Sequence, residues 1–97
     1  MTQMQVIGKE GSNLKPNIRT AIQEGKIKTF QVVQVKGGLK IKHTKFPGSI
    51  KLTQEKNILS AKVACRNKSM EWKIFESFIG RLAYHFKDDI LAINIQF

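Results

Sequence analysis

"VKGGLKIKHTKFPGSIKL", residues 35–52, decides the fold because it holds two chain reversals between β-rich runs. "KGG" follows the run Phe30–Val35, and "FPG" separates Leu39–Lys45 from Ser49–Thr53. Glycine and proline are typical of turns, and connections this short join antiparallel neighbours. With Ile58–Cys65 following "EKN", the four runs predict an antiparallel meander.

Helix signals flank the meander on both sides. Ser12 or Asn13 begins a short helix that Gly25 ends, and its apolar side chains share one face. A longer helix is predicted from about Met70 to Lys87, where apolar residues recur at helical spacing behind a cap at Asn67. Its stripe comprises Ile74, Phe75, Phe78, Ile79, Leu82 and Phe86, extended by Trp72.

Two further strands complete the chain. Val6 and Ile7 form a short first strand, and the alternation in "ILAINIQF", residues 90–97, is that of a half-buried strand. The predicted order is β-α-β-β-β-β-α-β. We therefore expect a single α+β domain over residues 1–97, an antiparallel meander sheet with two helices packed on one face.

The length of the first loop decides which side chains share a face of the sheet. A two-residue turn at Gly37 and Gly38 would mix valine and lysine on both faces. A three-residue loop that begins at Lys36 separates them, and we predict this loop with Gly38 in the left-handed conformation. It gives the pairs Val35/Leu39 and Val33/Ile41 on one face, and Gln34/Lys40 and Val32/Lys42 on the other.

The second reversal extends this assignment to the next strands. With Pro47 and Gly48 at the turn, the predicted pairs are Lys45/Ile50, Thr44/Lys51 and Lys42/Thr53. The face toward the helices then carries Leu39, Ile41, Ile50, Leu52, Leu59, Ala61, Val63 and Cys65, with His43 and Lys45 also on that side by alternation. The open face carries Lys40, Lys42, Lys51 and Lys62 with Gln34, Thr44, Thr53 and Ser60.

The charge is strongly positive. Seventeen Lys and Arg against seven Asp and Glu leave a formal charge of +10. Residues 25–54 contain no acid, so that Glu55 is the only carboxylate expected near the open face. The cations of that segment are Lys26, Lys28, Lys36, Lys40, Lys42, Lys45 and Lys51. Such a field attracts polyanions, although lysines also keep sheets soluble and guard them against aggregation.

These observations predict a small nucleic-acid-binding protein that contacts the phosphate backbone. Most of the cations are Lys, which acts as a point charge on phosphate, whereas Arg reads guanine. The predicted contacts are Lys40, Lys42, Lys51 and Lys62 on the open face, with Lys36, Lys26 and Lys28 at its rim. Phe30 and Phe46, near the ends of the sheet, are candidates for stacking on a base.

A protein–protein interaction or assembly module is the alternative function. The strand at residues 90–97 would pair with a second copy or a partner if it lay at a sheet edge, and the basic face would then hold an acidic protein. An anionic membrane is a weaker candidate partner, since no basic amphipathic helix stands out.

Catalysis and bound cofactors are not expected. His43, Cys65 and His85 lie far apart in the sequence, without the spacing of a metal site, and Asp88 and Asp89 are typical of a turn. With one cysteine no internal disulfide forms, which fits a reducing compartment. The N-terminus has no signal-peptide pattern and no apolar run reaches the length of a membrane span, so we expect a cytoplasmic protein.

Overall fold

Six antiparallel strands form one sheet in the order β2-β3-β4-β5-β1-β6. The computed structural model describes residues 2–35 and 38–96. Its elements are β1 (Gln3–Gly8), α1 (Leu14–Gln23), β2 (Phe30–Val35), β3 (Gly38–His43), β4 (Ser49–Glu55), β5 (Ile58–Ala64), α2 (Lys68–Phe86), a 3₁₀ turn (Lys87–Asp89) and β6 (Ile90–Gln96). The predicted α+β class and element order are confirmed. The first strand inserts between β5 and β6, which leaves β2 and β6 at the two edges.

Both helices cover the same face of the sheet, and the core lies between them and the strands. Alternate residues of the strands are buried under apolar side chains of α1 and α2. The sheet contributes Met4, Val6, Leu39, Ile41, Ile50, Leu52, Leu59, Ala61 and Val63, and the helices contribute Leu14, Ile18, Ile74, Phe75, Phe78 and Leu82. The other face of the sheet is therefore left open.

The helices end close to the predicted residues, but only α2 has a side-chain hydrogen bond at its predicted N-terminal cap. The side chain of Asn67 accepts a hydrogen bond from the backbone N–H of Ser69 at 3.0 Å, which caps α2. Asn13 occupies the cap position of α1 but makes no side-chain capping bond. Gly25 has φ +80°, the left-handed conformation that ends α1.

The predicted register of the first hairpin is wrong by one residue. Val35 pairs with Gly38, so only positions 36 and 37, which lie outside the described residues, separate β2 from β3. Gly38 is thus a strand residue and not the left-handed end of a three-residue loop. Consequently Val33 pairs with Lys40 and Gln34 with Leu39, and Val32 shares the inner face with Ile41.

Burial of Phe30 explains this register. Phe30 is only 2% exposed and its ring meets that of Phe78 at 5.9 Å between centroids. An aromatic ring buries more area than a valine, so placing Phe30 and Val32 inside outweighs leaving Val33 on the open face of an edge strand. Since side chains alternate, a slip of one residue exchanges the two faces of β2.

The second hairpin is also displaced, but by an even number of residues. Lys42 pairs with Ser49 and Lys40 with Lys51, four positions from the predicted register, and β3 ends at His43 rather than Lys45. The cause is His43, whose Nδ1 accepts the backbone N–H groups of Lys45 and Phe46 at 3.0 and 3.1 Å and turns the chain away from the strand. An even shift preserves the faces, so the predicted sides of Leu39, Ile41, Ile50 and Leu52 are confirmed.

Candidate functional site

Three lysines lie side by side across the centre of the open face. Lys40 of β3 pairs with Lys51 of β4, which pairs with Lys62 of β5. Partners across antiparallel strands are about 5 Å apart, so this lysine row spans about 10 Å. On β2 the row continues to Val33, and on β1 and β6 to Gln3 and Gln96.

The lysine row has no counter-charge among the described residues. The ion pair that the described ranges contain joins Lys26 and Glu24, far from this face. Glu55, the carboxylate expected near the open face, pairs with Ile58 at the end of the β4–β5 hairpin, four residues along the strand from Lys51. Like charges directly opposite each other destabilise a sheet. The fold therefore tolerates a repulsion that a bound polyanion would remove.

Lys42 extends the basic surface on the same face. It lies two residues after Lys40 on β3, is exposed, and has the uncharged Ser49 opposite it on β4. On the other side of the row, Gly38 lies next to the Lys51 stem, since a Cβ at Gly38 would be in van der Waals contact with Lys51 Cε at 3.9 Å. All four lysines predicted for the open face, Lys40, Lys42, Lys51 and Lys62, are thus brought together there.

Amide side chains cover the half of the open face beside the lysine row. Gln3 and Gln5 of β1 pair with Gln96 and Asn94 of β6, and the Gln3 side chain donates to Gln96 Oε1 at 2.9 Å. With Ser60 and Lys62 they line a shallow depression of about 190 Å³. Sequence analysis missed this amide strip. The alternation in "QMQ" and "NIQ" marks each polar position, but only the order of the strands brings them together.

The three predicted rim lysines do not join the lysine row. Lys26 lies in the turn after α1, where its backbone N–H donates to Ala21 O and its ammonium is 3.5 Å from Glu24. It borders a groove between the helices with His85, so it belongs to the helix layer. Lys28 is exposed in the connection to β2, and Lys36 lies outside the described residues.

The two phenylalanines proposed for base stacking are both tied to the core. Phe30 is buried, so the expectation that it is exposed at a sheet end is wrong. Phe46 is half-buried, 4.7 Å from the ring of His43 between centroids, with Lys73 Nζ 5.8 Å from its ring centroid. The described side chains of the open face include no aromatic ring.

The remaining candidates for chemistry have structural contacts. His43 is 4% exposed on the inner face, and its Nε2 lies 3.3 Å from Ser77 Oγ. Because Nδ1 accepts two N–H groups, the ring proton is on Nε2, which donates to Ser77. Cys65 Sγ is 2.9 Å from Pro47 O. Within the described ranges, no three His, Cys, Asp or Glu side chains are close enough together to hold a metal ion.

Reversing the central charge of the row is expected to stabilise the fold. Lys51→Glu replaces two repulsive contacts, with Lys40 and Lys62, by two attractive ones, which should add about 0.5–2 kcal/mol to the free energy of unfolding. Urea denaturation at low salt measures the change. Lys28→Glu, the same change of charge at an exposed position outside the strands, serves as the control, and equal effects of the two variants would contradict repulsion within the row.

Comparison of this chain with family models, curated proteins and solved structures finds no match. In the part of the chain that the structure describes, no helix combines the length and the apolar character needed to cross a membrane.

Proposed function

We propose that this chain is a small, non-catalytic nucleic-acid-binding protein whose open sheet face holds the phosphate backbone. The observation that carries the proposal is the lysine row, three cations in register at the centre of a sheet face. Nucleic acid is a polyanion that presents a regular series of phosphates to such a row of point charges. The net charge of +10 adds long-range attraction that speeds encounter.

The residues around the row favour contact with the backbone over reading of bases. Lys42 adds a fourth cation, and the amide strip supplies neutral donors and acceptors of the kind that bind phosphate and sugar oxygens. The described part of the face offers no ring on which an unpaired base would stack. We therefore propose a duplex as the preferred form, bound with little dependence on sequence.

Fluorescence anisotropy with labelled duplexes of unrelated sequence tests the proposal. Binding should be similar for the two sequences and fall steeply with salt. Four phosphate contacts give a slope of log affinity against log salt of about −3.6 on duplex DNA, at about 0.9 per contact. A single strand of equal length measures the preference for a duplex, and RNA duplexes are titrated in parallel.

Absence of binding to every nucleic acid at about 50 mM salt, where phosphate contacts are strong, would overturn the proposal. Polyglutamate of similar length is the matched polyanion. If it binds and nucleic acid does not, the basic face serves an acidic protein instead. If neither binds, the lysines serve solubility.

The partner in this proposal is nucleic acid, and pairing with a second copy of the chain is a separate proposal. The proposal places the protein in the cytoplasm, because its single cysteine fits a reducing compartment and nucleic acid is present there.

A further inference from the structure

Strand β6 presents an edge without the usual protection against pairing. It has seven residues, "ILAINIQ", and contains neither a charged residue nor a proline. Its other edge is paired with β1, so the backbone groups on the free edge have no strand partner among the described residues. Edge strands normally carry charges or prolines that prevent addition of another strand. This edge is therefore suited to pair with one.

The apolar surface continues from β6 onto the neighbouring flank of α2. Ile93 and Ile95 are only half-buried on the inner side of β6, and Leu91 is 64% exposed. Ser77 of α2 meets His43 on the β3 side of the helix, so helical geometry turns Ile79 to the opposite side, toward β1 and β6. Ile79 is partly exposed at the edge of the core. Ile79 and the apolar side chains of β6 thus leave incompletely covered apolar surface near this edge.

The estimated size of this surface is that of a small interface. A seven-residue strand is about 23 Å long, and a sheet layer and a helix layer of about 10 Å each make the surface about 20 Å high. About 460 Å² would then be covered on each partner, below the roughly 800 Å² per partner of a standard complex, so we expect a dimer of modest affinity.

The distribution of charge makes β6 the better of the two edge strands for pairing with a second copy. Lys62 lies two strands from the β6 edge, so pairing of two β6 edges keeps Lys62 and its symmetry mate about 24 Å apart, where screening over about 8–10 Å weakens their repulsion more than at shorter separations. Pairing of two β2 edges would bring Lys40 and its mate to about 14 Å, with Lys42 alongside. We propose that the chain forms a two-fold symmetric dimer through antiparallel pairing of β6 with β6, which joins two sheets into one of twelve strands.

The register of this pairing follows from the bulge in β6. The ladder with β1 shifts after Ile7, leaving Leu91 unpaired, so residues 92–96 are the regular part of the strand. A two-fold axis at its centre sets Asn94 opposite Asn94 of the second copy and Ile93 opposite Ile95. Four isoleucines, Ile93 and Ile95 of each copy, then close the inner face beside Ile79 of each copy. The two lysine rows lie on the same side of the joined sheet.

Light scattering coupled to size exclusion tests the dimer on the full chain. We expect twice the 11.0 kDa of one chain at submillimolar concentration. Asn94→Lys puts two lysines directly opposite at the axis and should raise the dissociation constant at least about tenfold, because like charges opposed in an interface are costly. Gln31→Lys adds the same charge to an exposed position on the other edge strand and should leave the dimer intact.

A crosslink checks the register independently of affinity. In a Cys65→Ser background, Asn94→Cys should form an intermolecular disulfide on mild oxidation, because residues facing across the axis lie within the Cα distance of about 4.4–6.8 Å that a disulfide requires. Gln31→Cys is the matched control and should remain uncrosslinked. A mass of 11.0 kDa for the unmodified chain at every concentration, or equal effects of Asn94→Lys and Gln31→Lys, would overturn the proposal. None of these measurements involves nucleic acid, so the dimer stands or falls separately from the proposed function.

Discussion

Replacing Lys40, Lys51 and Lys62 by Gln should abolish most of the salt-dependent binding to duplex nucleic acid. Each lysine that contacts a phosphate contributes about 0.9 to the slope of log affinity against log salt on duplex DNA, so the triple variant should lose up to about 2.7. If the natural chain and the triple variant bind equally well near 1 M salt, the variant binds roughly 500-fold more weakly than the natural chain at 0.1 M. Anisotropy titrations across this salt range measure both quantities.

The matched control removes the same total charge elsewhere. Lys9, Lys68 and Lys87 are exposed and lie outside the sheet, so their triple replacement by Gln alters the net charge equally without touching the open face. This control variant should associate with nucleic acid somewhat more slowly but keep most of the slope of log affinity against log salt. Equal losses in the two triple variants would show that binding follows net charge rather than the lysine row.

The stability of the triple Gln variant shows whether its loss of binding comes from the missing lysines or from damage to the fold. Removing Lys40, Lys51 and Lys62 relieves repulsion, so the triple Gln variant should unfold at higher urea concentration than the natural chain. A variant that binds more weakly but is more stable is the result expected when the replaced residues serve function at a cost in stability. Loss of stability together with binding would instead indicate damage to the sheet.

The faces of the central strands could be predicted from sequence, but the lysine row could not. Alternation assigns Lys40, Lys51 and Lys62 to one face, and an error of four residues in the second hairpin leaves that assignment unchanged. Which lysine lies opposite which depends on where β3 ends. That is decided by the local hydrogen bonds of His43 Nδ1, and the ring that makes them is held by its long-range contact with Ser77, which no turn signal carries.

The two edges of the sheet were harder to predict for a different reason. On β2 the choice between Phe30 and Val33 as the inward residue depends on Phe78, which lies in α2 and far along the chain. The amide strip depends on β1 lying between β5 and β6, and both of those pairings join residues that are more than 50 positions apart in the sequence. The alternation of apolar and polar residues in β1 and β6 identifies each polar position, but it does not show which residues lie next to it on the adjacent strands.

Removing the imidazole of His43 should cost about 2–4 kcal/mol of the free energy of unfolding. His43→Ala deletes the acceptor for the N–H groups of Lys45 and Phe46 and the donor to Ser77. It also leaves a void beside the rings of Phe30 and Phe46, which lie 5.0 and 4.7 Å away between centroids. His43→Asn keeps an acceptor near the Nδ1 position and should lose less. Urea denaturation at neutral pH ranks the three proteins.

Burial of His43 should make the folded chain less stable at acidic pH than at neutral pH. Burial lowers the pKa of His43 below its ordinary value, and the nearby Lys45 charge lowers it further. The unfolded chain therefore takes up this proton at a higher pH than the fold does. Neutral His43 therefore makes its full contribution to the free energy of unfolding above pH about 6.5. That contribution is lost as the pH falls toward the lowered pKa that His43 has in the folded chain.

His43→Asn isolates this dependence because its side chain does not titrate. The natural chain should lose stability relative to His43→Asn as the pH falls from neutral toward 5, and the difference between the two should be constant above pH about 7. Carboxylates are common to both proteins and cancel in the comparison. A constant difference across the whole range would mean that His43 titrates alike in the folded and unfolded chains, and the turn at residues 44–48 would then not depend on a neutral ring.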